Sequence, residues 1–189
     1  MRLVVGISGS SGSIYGIRLL QELKKLDIET HLVLTKWAGI TLTYETDMRV
    51  EDVKSLATYS YSDDDMAARI SSGSFRTDGM IIIPCSMKSL GGLVSGNAES
   101  LLVRAADVTL KETRRLVLVP REAPLNKIHL KNLLAAADAG ALILPAMPAF
   151  YHKPETIDDL INHVVGKALD LFGIEHHLYK RWRPVKGED

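Results

Sequence analysis

The run Leu3-Val-Val-Gly-Ile-Ser-Gly-Ser-Ser-Gly12 constrains this chain more than any other stretch. A short apolar strand over residues 3–7 runs straight into a loop of glycine and serine. A helical pattern over residues 13–26 begins at once, with Ile14, Ile17, Leu20 and Leu23 on one face. A strand that feeds a small-residue loop into a helix brings unpaired N–H groups and the positive end of a helix dipole to one point. Small residues let the backbone approach an anion closely there, and the hydroxyls of Ser8, Ser10 and Ser11 offer further donors. The glycine spacing is G-x-x-G-x-x-G, so the loop matches neither the dinucleotide fingerprint G-x-G-x-x-G nor a Walker loop with its Gly-Lys-Ser/Thr end. It suits a single phosphate, such as that of a mononucleotide.

Strand and helix patterns alternate along the rest of the chain. Residues 30–34 read as a second strand and residues 37–44 as a helix. Residues 46–75 read as irregular, with a short helix near 50–57 and an acidic run at Asp63-Asp64-Asp65. Residues 80–84 are a continuous apolar run of buried-strand type. Helices are expected over 86–93 and 100–112, a strand over 115–119 and a helix over 127–139 closed by Gly140. A fifth strand over 141–144 and an amphipathic helix over 157–172 complete the pattern. The alternation predicts an α/β architecture, a parallel sheet with helices on both faces joined by right-handed crossovers.

Composition narrows the function classes. Lys plus Arg equals Asp plus Glu at 23 each, so no global field favours nucleic acid or an anionic membrane surface. No run of 18 apolar residues and no export signal is present, and the only cysteine, Cys85, excludes an intrachain disulfide, so the cytoplasm is expected. At 189 residues a single domain over 1–173 is expected, with a polar tail over 174–189 that carries Tyr179 and Trp182, cannot pack alone, and is expected to close the active site or dock on a neighbouring subunit. The histidines are scattered, and adjacent His176 and His177 point apart. No metal site is expected.

In such a sheet ligands bind beyond the carboxyl ends of the strands. Those ends carry Ser8–Ser11, then Thr35 and Lys36, then Cys85-Ser86-Met87-Lys88-Ser89, then Arg121-Glu122, then the loop over 145–151. Hydroxyls, cations and a carboxylate thus converge on one edge. Cys85 reads as a small buried hydrophobe rather than a nucleophile, because no histidine stands near it in sequence. Glu122 sits between Pro120 and Pro124 in a stiff loop, where neighbouring cations would tune it. Arg104 and Lys111, seven apart on one helix, share nearly one face. Glu45 closes a helix pattern in Tyr44-Glu45-Thr46-Asp47.

Several motifs together carry a resemblance. Gly6-Ile-Ser-Gly-Ser-Ser-Gly12, Ile70-Ser-Ser-Gly-Ser-Phe75, Pro84-Cys-Ser-Met-Lys-Ser89, Arg104-Ala-Ala-Asp-Val108, Pro120-Arg-Glu-Ala-Pro-Leu125 and Pro145-Ala-Met-Pro-Ala-Phe-Tyr151 follow one another in order. The chain resembles the UbiX-type flavin prenyltransferases of the flavin-containing cysteine decarboxylase superfamily. The resemblance implies a flavodoxin-like (Rossmann-type) three-layer sandwich. It implies prenylation of reduced FMN at N5 and C6 by dimethylallyl monophosphate, with the prenylated FMN passed to a UbiD-type decarboxylase. It also implies a homo-oligomer, a dodecamer built from trimers, with FMN at subunit interfaces.

Residue by residue, the resemblance implies that FMN is held by Gly9, Ser10, Ser11, Thr35, Ser86, Met87, Lys88, Ser89 and Arg121. Tyr151 and Lys167 would bind the prenyl phosphate, with Arg104, Lys111 and Glu122 close by. Ser11 and Glu45 match positions tied to the reaction, and Trp182 matches an aromatic of a closing tail. Three positions depart from the usual pattern: Ser10 replaces an alanine, Thr35 a serine, and Lys167 stands where relatives carry arginine, a point charge in place of a fork. Two other readings stay open. A decarboxylase acting on a cysteinyl substrate would resemble this fold, but its Pro-x-Met-Asn motif is Pro145-Ala-Met-Pro here and no histidine follows the second strand. A flavodoxin-like electron carrier would be acidic, whereas this chain is neutral.

Overall fold

A computed structural model describes residues 1–182; residues 183–189, the end of the expected 174–189 tail, lie outside the described residues. Among the described residues six strands form one sheet: β1 (Arg2–Ile7), β2 (Glu29–Leu34), β3 (Tyr59–Tyr61), β4 (Gly79–Cys85), β5 (Arg115–Pro120) and β6 (Leu142–Ile143). The order is β3-β2-β1-β4-β5-β6 and every neighbouring pair is parallel. Seven α-helices among the described residues surround it: α1 (Ser13–Lys25), α2 (Lys36–Glu45), α3 (Val50–Lys54), α4 (Met87–Val94), α5 (Leu101–Lys111), α6 (Lys127–Asp138) and α7 (Ile157–Asp170). This is the flavodoxin-like, Rossmann-type three-layer sandwich.

The strand residues divide the core by their alternation. Leu3, Val5 and Ile7 point to one face, where they pack with Leu19, Leu20 and Leu23 of α1 and Ile161, Val165 and Leu169 of α7. Val4, Met80 and Leu118 point to the other, against Leu102, Ala105 and Ala106 of α5 and Ala136 of α6. Each such buried Val, Leu, Ile or Met side chain stabilises the fold by about 1.5–3 kcal/mol relative to exposure. Both faces of β1 and β4 are covered, which is why they read as continuous apolar runs.

One strand escaped the sequence reading. β3 lies within the span taken as irregular, and its Tyr-Ser-Tyr is too short to show an alternation. Pairing with β2 at the sheet edge, His31 with Tyr59 and Val33 with Tyr61, creates it. The described part of the tail lies against its own chain. Ile174 and Leu178 pack against the core on the α1–α7 face. Asp170 of α7 accepts from the Tyr179 hydroxyl at 2.5 Å and from Arg181 at 2.7 Å, and faces His176 at 3.2 Å. One half-buried carboxylate thus gathers three polar residues of the described tail.

Candidate active site

The strand order reverses direction at β1 and β4, and the crevice beyond their carboxyl ends is where such sheets bind ligands. The loop after β1 forms its floor. Ser8 is not one of the donors to it. Its buried hydroxyl donates to the Pro84 carbonyl at 2.8 Å and accepts the Ser86 N–H at 2.7 Å, tying the ends of β1 and β4 together. Ser10 is 8% exposed, and its Oγ has no hydrogen-bond partner among the described residues. A buried hydroxyl without a partner is costly unless a ligand or water completes it. Gly9 presses on the start of α2: a Cβ there would lie 2.5 Å from Cβ of Trp37.

Gly12, with φ of 105°, precedes α1 and has no side chain with which to cap it. Glu45 supplies the cap instead. Its carboxylate accepts the N–H of Gly12 at 2.9 Å and of Ser13 at 2.9 Å, so the end of α2 closes the N-terminus of α1. Burial raises the Glu45 pKa, but bonds from the Ser11 hydroxyl and the Gly12 and Ser13 N–H groups outweigh it, and the net shift is downward. Glu45 is therefore an anchored anion, and the positive helix end expected to face a phosphate already holds a carboxylate.

The other strand ends complete the crevice. Thr35 caps α2 by accepting the Ala38 N–H at 3.1 Å. Ser86 caps α4 by accepting the Ser89 N–H at 3.2 Å, with the two hydroxyls 3.1 Å apart. Arg121 donates from Nε to the Ser11 carbonyl at 3.1 Å, so the end of β5 reaches across to the first loop. Gly9, Thr35, Ser86, Lys88 and Ser89 line one cleft of about 670 Å³. A larger cleft of about 1210 Å³, beside β2 and β3, shares Thr35 and Lys36 with it. The smaller one holds the strand-end hydroxyls and is the better candidate for the site. Hydroxyls, a lysine and close-approaching backbone form a donor set suited to a phosphorylated ligand, and the unpartnered Ser10 Oγ leaves a donor for one.

The sequence reading missed Asp63, which lines both clefts. Its Oδ1 accepts the Leu102 N–H at 2.9 Å, at the start of α5. Burial raises its pKa, opposed by the Leu102 N–H, the Ser100 hydroxyl and the charge of Lys88. The signal was the acidic run, but only the pairing of β3 carries Asp63 to the crevice. Cys85 is 1% exposed, and burial pushes its thiol up to about 12, which fits a small buried hydrophobe.

The remaining predicted residues form separate groups. Tyr151 meets Trp182 edge to face, ring centroids 5.5 Å apart, on the side of α7. Lys167, also on α7, stands 3.9 Å from Asp170. Arg104 and Lys111 lie on α5, across the sheet, so one chain does not join them to Tyr151 and Lys167. Arg104 donates to the Ser71 carbonyl at 3.1 Å and to Asp107 at 3.0 Å, while Lys111 donates to Glu112 at 2.5 Å. Glu122 is exposed, accepts the Ala123 N–H at 3.0 Å and makes no ion pair among the described residues.

Comparison with known proteins bears on this geometry. The family model described as Flavoprotein matches residues 1–169. A probable UbiX-like flavin prenyltransferase of Bacillus subtilis (strain 168) is 53% identical over 186 residues, covering 98% of this chain and 91% of the relative. The crystal structure of AnUbiX (PadA1) in complex with FMN and dimethylallyl pyrophosphate superposes with a TM-score of 0.96 at 51% identity, over 98% of each chain. That of a dodecameric FMN-dependent UbiX-like decarboxylase from Escherichia coli O157:H7 superposes with a TM-score of 0.96 at 54% identity, over 97% of this chain and all of the other. No helix among the described residues is long and apolar enough to cross a membrane. With the crevice at the β1–β4 switch point and these likenesses over nearly its whole length, the chain belongs to the flavoprotein family and, within it, to the UbiX-like flavin prenyltransferases.

Proposed function

We propose that this chain binds reduced FMN in the crevice between β1 and β4 and transfers to it the dimethylallyl group of dimethylallyl monophosphate. The observation that carries the reading is the cleft lined by Gly9, Thr35, Ser86, Lys88 and Ser89, beside a first loop that holds the unpartnered buried Ser10 hydroxyl and binds Arg121 through the Ser11 carbonyl. Gly9, Ser10, Ser11, Thr35, Ser86, Met87, Lys88, Ser89 and Arg121 would hold the flavin nucleotide. Reduced FMN supplies two nucleophilic positions, N5 and C6, for the prenyl unit.

The rest of the chemistry falls to the side chains. As the carbon–oxygen bond of the donor breaks, its electron pair leaves with the phosphate, and Lys167 with Arg104, Lys111 and Arg121 offsets the growing charge. A well-aimed donor of this kind contributes about 3 kcal/mol to the transition state. The rings of Tyr151 and Trp182 present π-faces to positive charge on the allyl group. Glu45 orients the Ser11 hydroxyl, which donates to its carboxylate and keeps a lone pair for the ligand. A proton must leave C6 as the second bond closes, and Glu122, Ser11 and the departing phosphate are the candidate acceptors.

Tyr151 and Lys167 lie across the sheet from Arg104 and Lys111, so we place the complete site at a boundary between copies of this chain, in a dodecamer like that of the E. coli relative. A UbiD-type decarboxylase as recipient and a cytoplasmic location complete the reading. The deciding experiment incubates the protein anaerobically with reduced FMN and dimethylallyl monophosphate, in parallel with the diphosphate, and reads the flavin by mass spectrometry. A flavin heavier by one isoprenyl unit, formed from the monophosphate, is the expected result. Unaltered FMN with either donor refutes the proposal.

A further inference from the structure

Helix α7 carries His163 four residues before Lys167, on the same side of the helix. His163 is 6% exposed, and nothing in the chemistry above uses it. Its Nδ1 accepts the Ala149 N–H at 3.4 Å. Its ring stacks on that of His152, centroids 5.1 Å apart and planes within 7°. Tyr151 meets it edge-on at 5.9 Å, and Tyr179 of the tail lies against it at 4.8 Å. The loop that carries Tyr151 and the tail that carries Trp182 therefore both rest on one imidazole. Because Nδ1 accepts a hydrogen bond, the ring is neutral with its proton on Nε2.

We propose that His163 is a positioning residue for the prenyl-phosphate donor: as a neutral imidazole it fixes the Tyr151 loop at a set distance from Lys167, one helical turn away. This rests on Tyr151 and Lys167 being the donor's ligands. A proton on Nδ1 would set one N–H against that of Ala149, and the loop would have to move. The groups facing the ring are His152 and Tyr151 from the loop, Lys167 and Asp170 from α7, and Tyr179 from the tail, with Arg181 beyond on Asp170. Burial first, then His152 and Lys167, lower the His163 pKa against the pull of Asp170, so the neutral form prevails at neutral pH.

The test compares His163→Leu, which removes the acceptor, with His163→Asn, whose amide oxygen replaces Nδ1 as acceptor. Steady-state turnover of the assembled enzyme is measured with saturating reduced FMN and varied dimethylallyl monophosphate, and Lys167→Met is the control on the donor site. The Leu variant should raise KM for the donor about tenfold, as loss of one hydrogen bond predicts, with kcat and FMN affinity within about twofold. The Asn variant should stay within about threefold of the parent near pH 7.5. It should also lack the extra rise in donor KM that the parent shows as the pH is lowered below the free-imidazole value of about 6.5, the donor's own ionisation cancelling in the comparison. If the Leu variant does not assemble, the Asn pH profile decides. An unchanged donor KM in Lys167→Met overturns the donor-site assignment and this inference with it. A raised KM there, with parent-like KM in the Leu variant or a parent-like acid rise in the Asn variant, overturns the role of His163 alone.

Discussion

Substituting Gly9 by alanine is a stringent test of the crevice. The added Cβ would lie 2.5 Å from Cβ of Trp37, 3.1 Å from its carbonyl carbon and 3.3 Å from its Cα. Carbon atoms in contact rest at about 3.5–4.0 Å, so the first loop and the start of α2 must part by about 1 Å. Two of the three opposing atoms are backbone, and the third is a Cβ fixed to it, so no flexible side-chain end can yield. Overpacking of this kind costs about 1–3 kcal/mol. It falls on the loop that carries Ser10 and Ser11, and on the N-cap Thr35 that stands opposite. A donor at about 2.9 Å from a phosphate oxygen moves to about 3.9 Å, beyond hydrogen bonding. One lost bond to a charged group is worth about 1.5–3 kcal/mol, which weakens FMN binding about 10- to 100-fold. Quenching of flavin fluorescence on titration measures the dissociation constant directly. Gly91→Ala is the matched control: the same change on α4, where the new Cβ meets only Asn132 Nδ2 at 3.7 Å, should leave FMN affinity unaltered. A Gly9→Ala protein that binds FMN within twofold of the parent, with unchanged melting, would refute the close-approach argument.

Two further outcomes follow from buried groups. The Cys85 thiol, raised to about 12 by burial, should resist a maleimide at neutral pH in the native protein and react fully after unfolding, and Cys85→Ala should keep its turnover. An Ala variant that binds FMN but is inactive would return Cys85 to the chemistry. His31 is fully buried, with Nδ1 2.9 Å from the Tyr61 hydroxyl and Nε2 2.9 Å from Glu29, and burial lowers its pKa more than Glu29 raises it. The unfolded chain therefore takes up this proton first: the stability His31 contributes is complete above about pH 6.5 and is lost as the pH falls through the lower native value. Denaturant midpoints at about pH 7.5 and about pH 5.5 should fall further in the parent than in His31→Gln; equal falls would show that this proton is not linked to folding.

What could be read from the sequence was what local pattern carries. The apolar runs at residues 3–7, 80–84 and 116–119 are buried on both faces and cannot be mistaken for surface segments. The caps that start α4 and α5 sit at Ser86 and Ser100, where the helical patterns were expected to begin, whereas that of α2 sits at Thr35, two residues before the expected start. β3 was not legible, because three residues at a sheet edge gain their extended form from β2 and not from any periodicity of their own. Asp63 was lost with it. Glu45 could be seen as a charge at a helix end, but not as the cap of a different helix 32 residues earlier in the chain.

The sequence by itself determined the alternation of strand and helix, and with it the delivery of Gly9–Ser11, Thr35, Ser86–Ser89 and Arg121 to the carboxyl edge of one parallel sheet. That followed because hydrophobic period and capping are local properties. Tertiary structure alone decided the partners of each polar group. Ser8 is spent on joining β1 to β4, Glu45 occupies the end of α1, and Ser10 Oγ is left without a partner among the described residues. It also set Arg104 and Lys111 across the sheet from Tyr151 and Lys167, although both pairs looked equally close to the crevice in sequence. A side chain's partners depend on which face of the sheet its helix covers and on what the next crossover brings beside it. Neither is written in the spacing of residues along a chain.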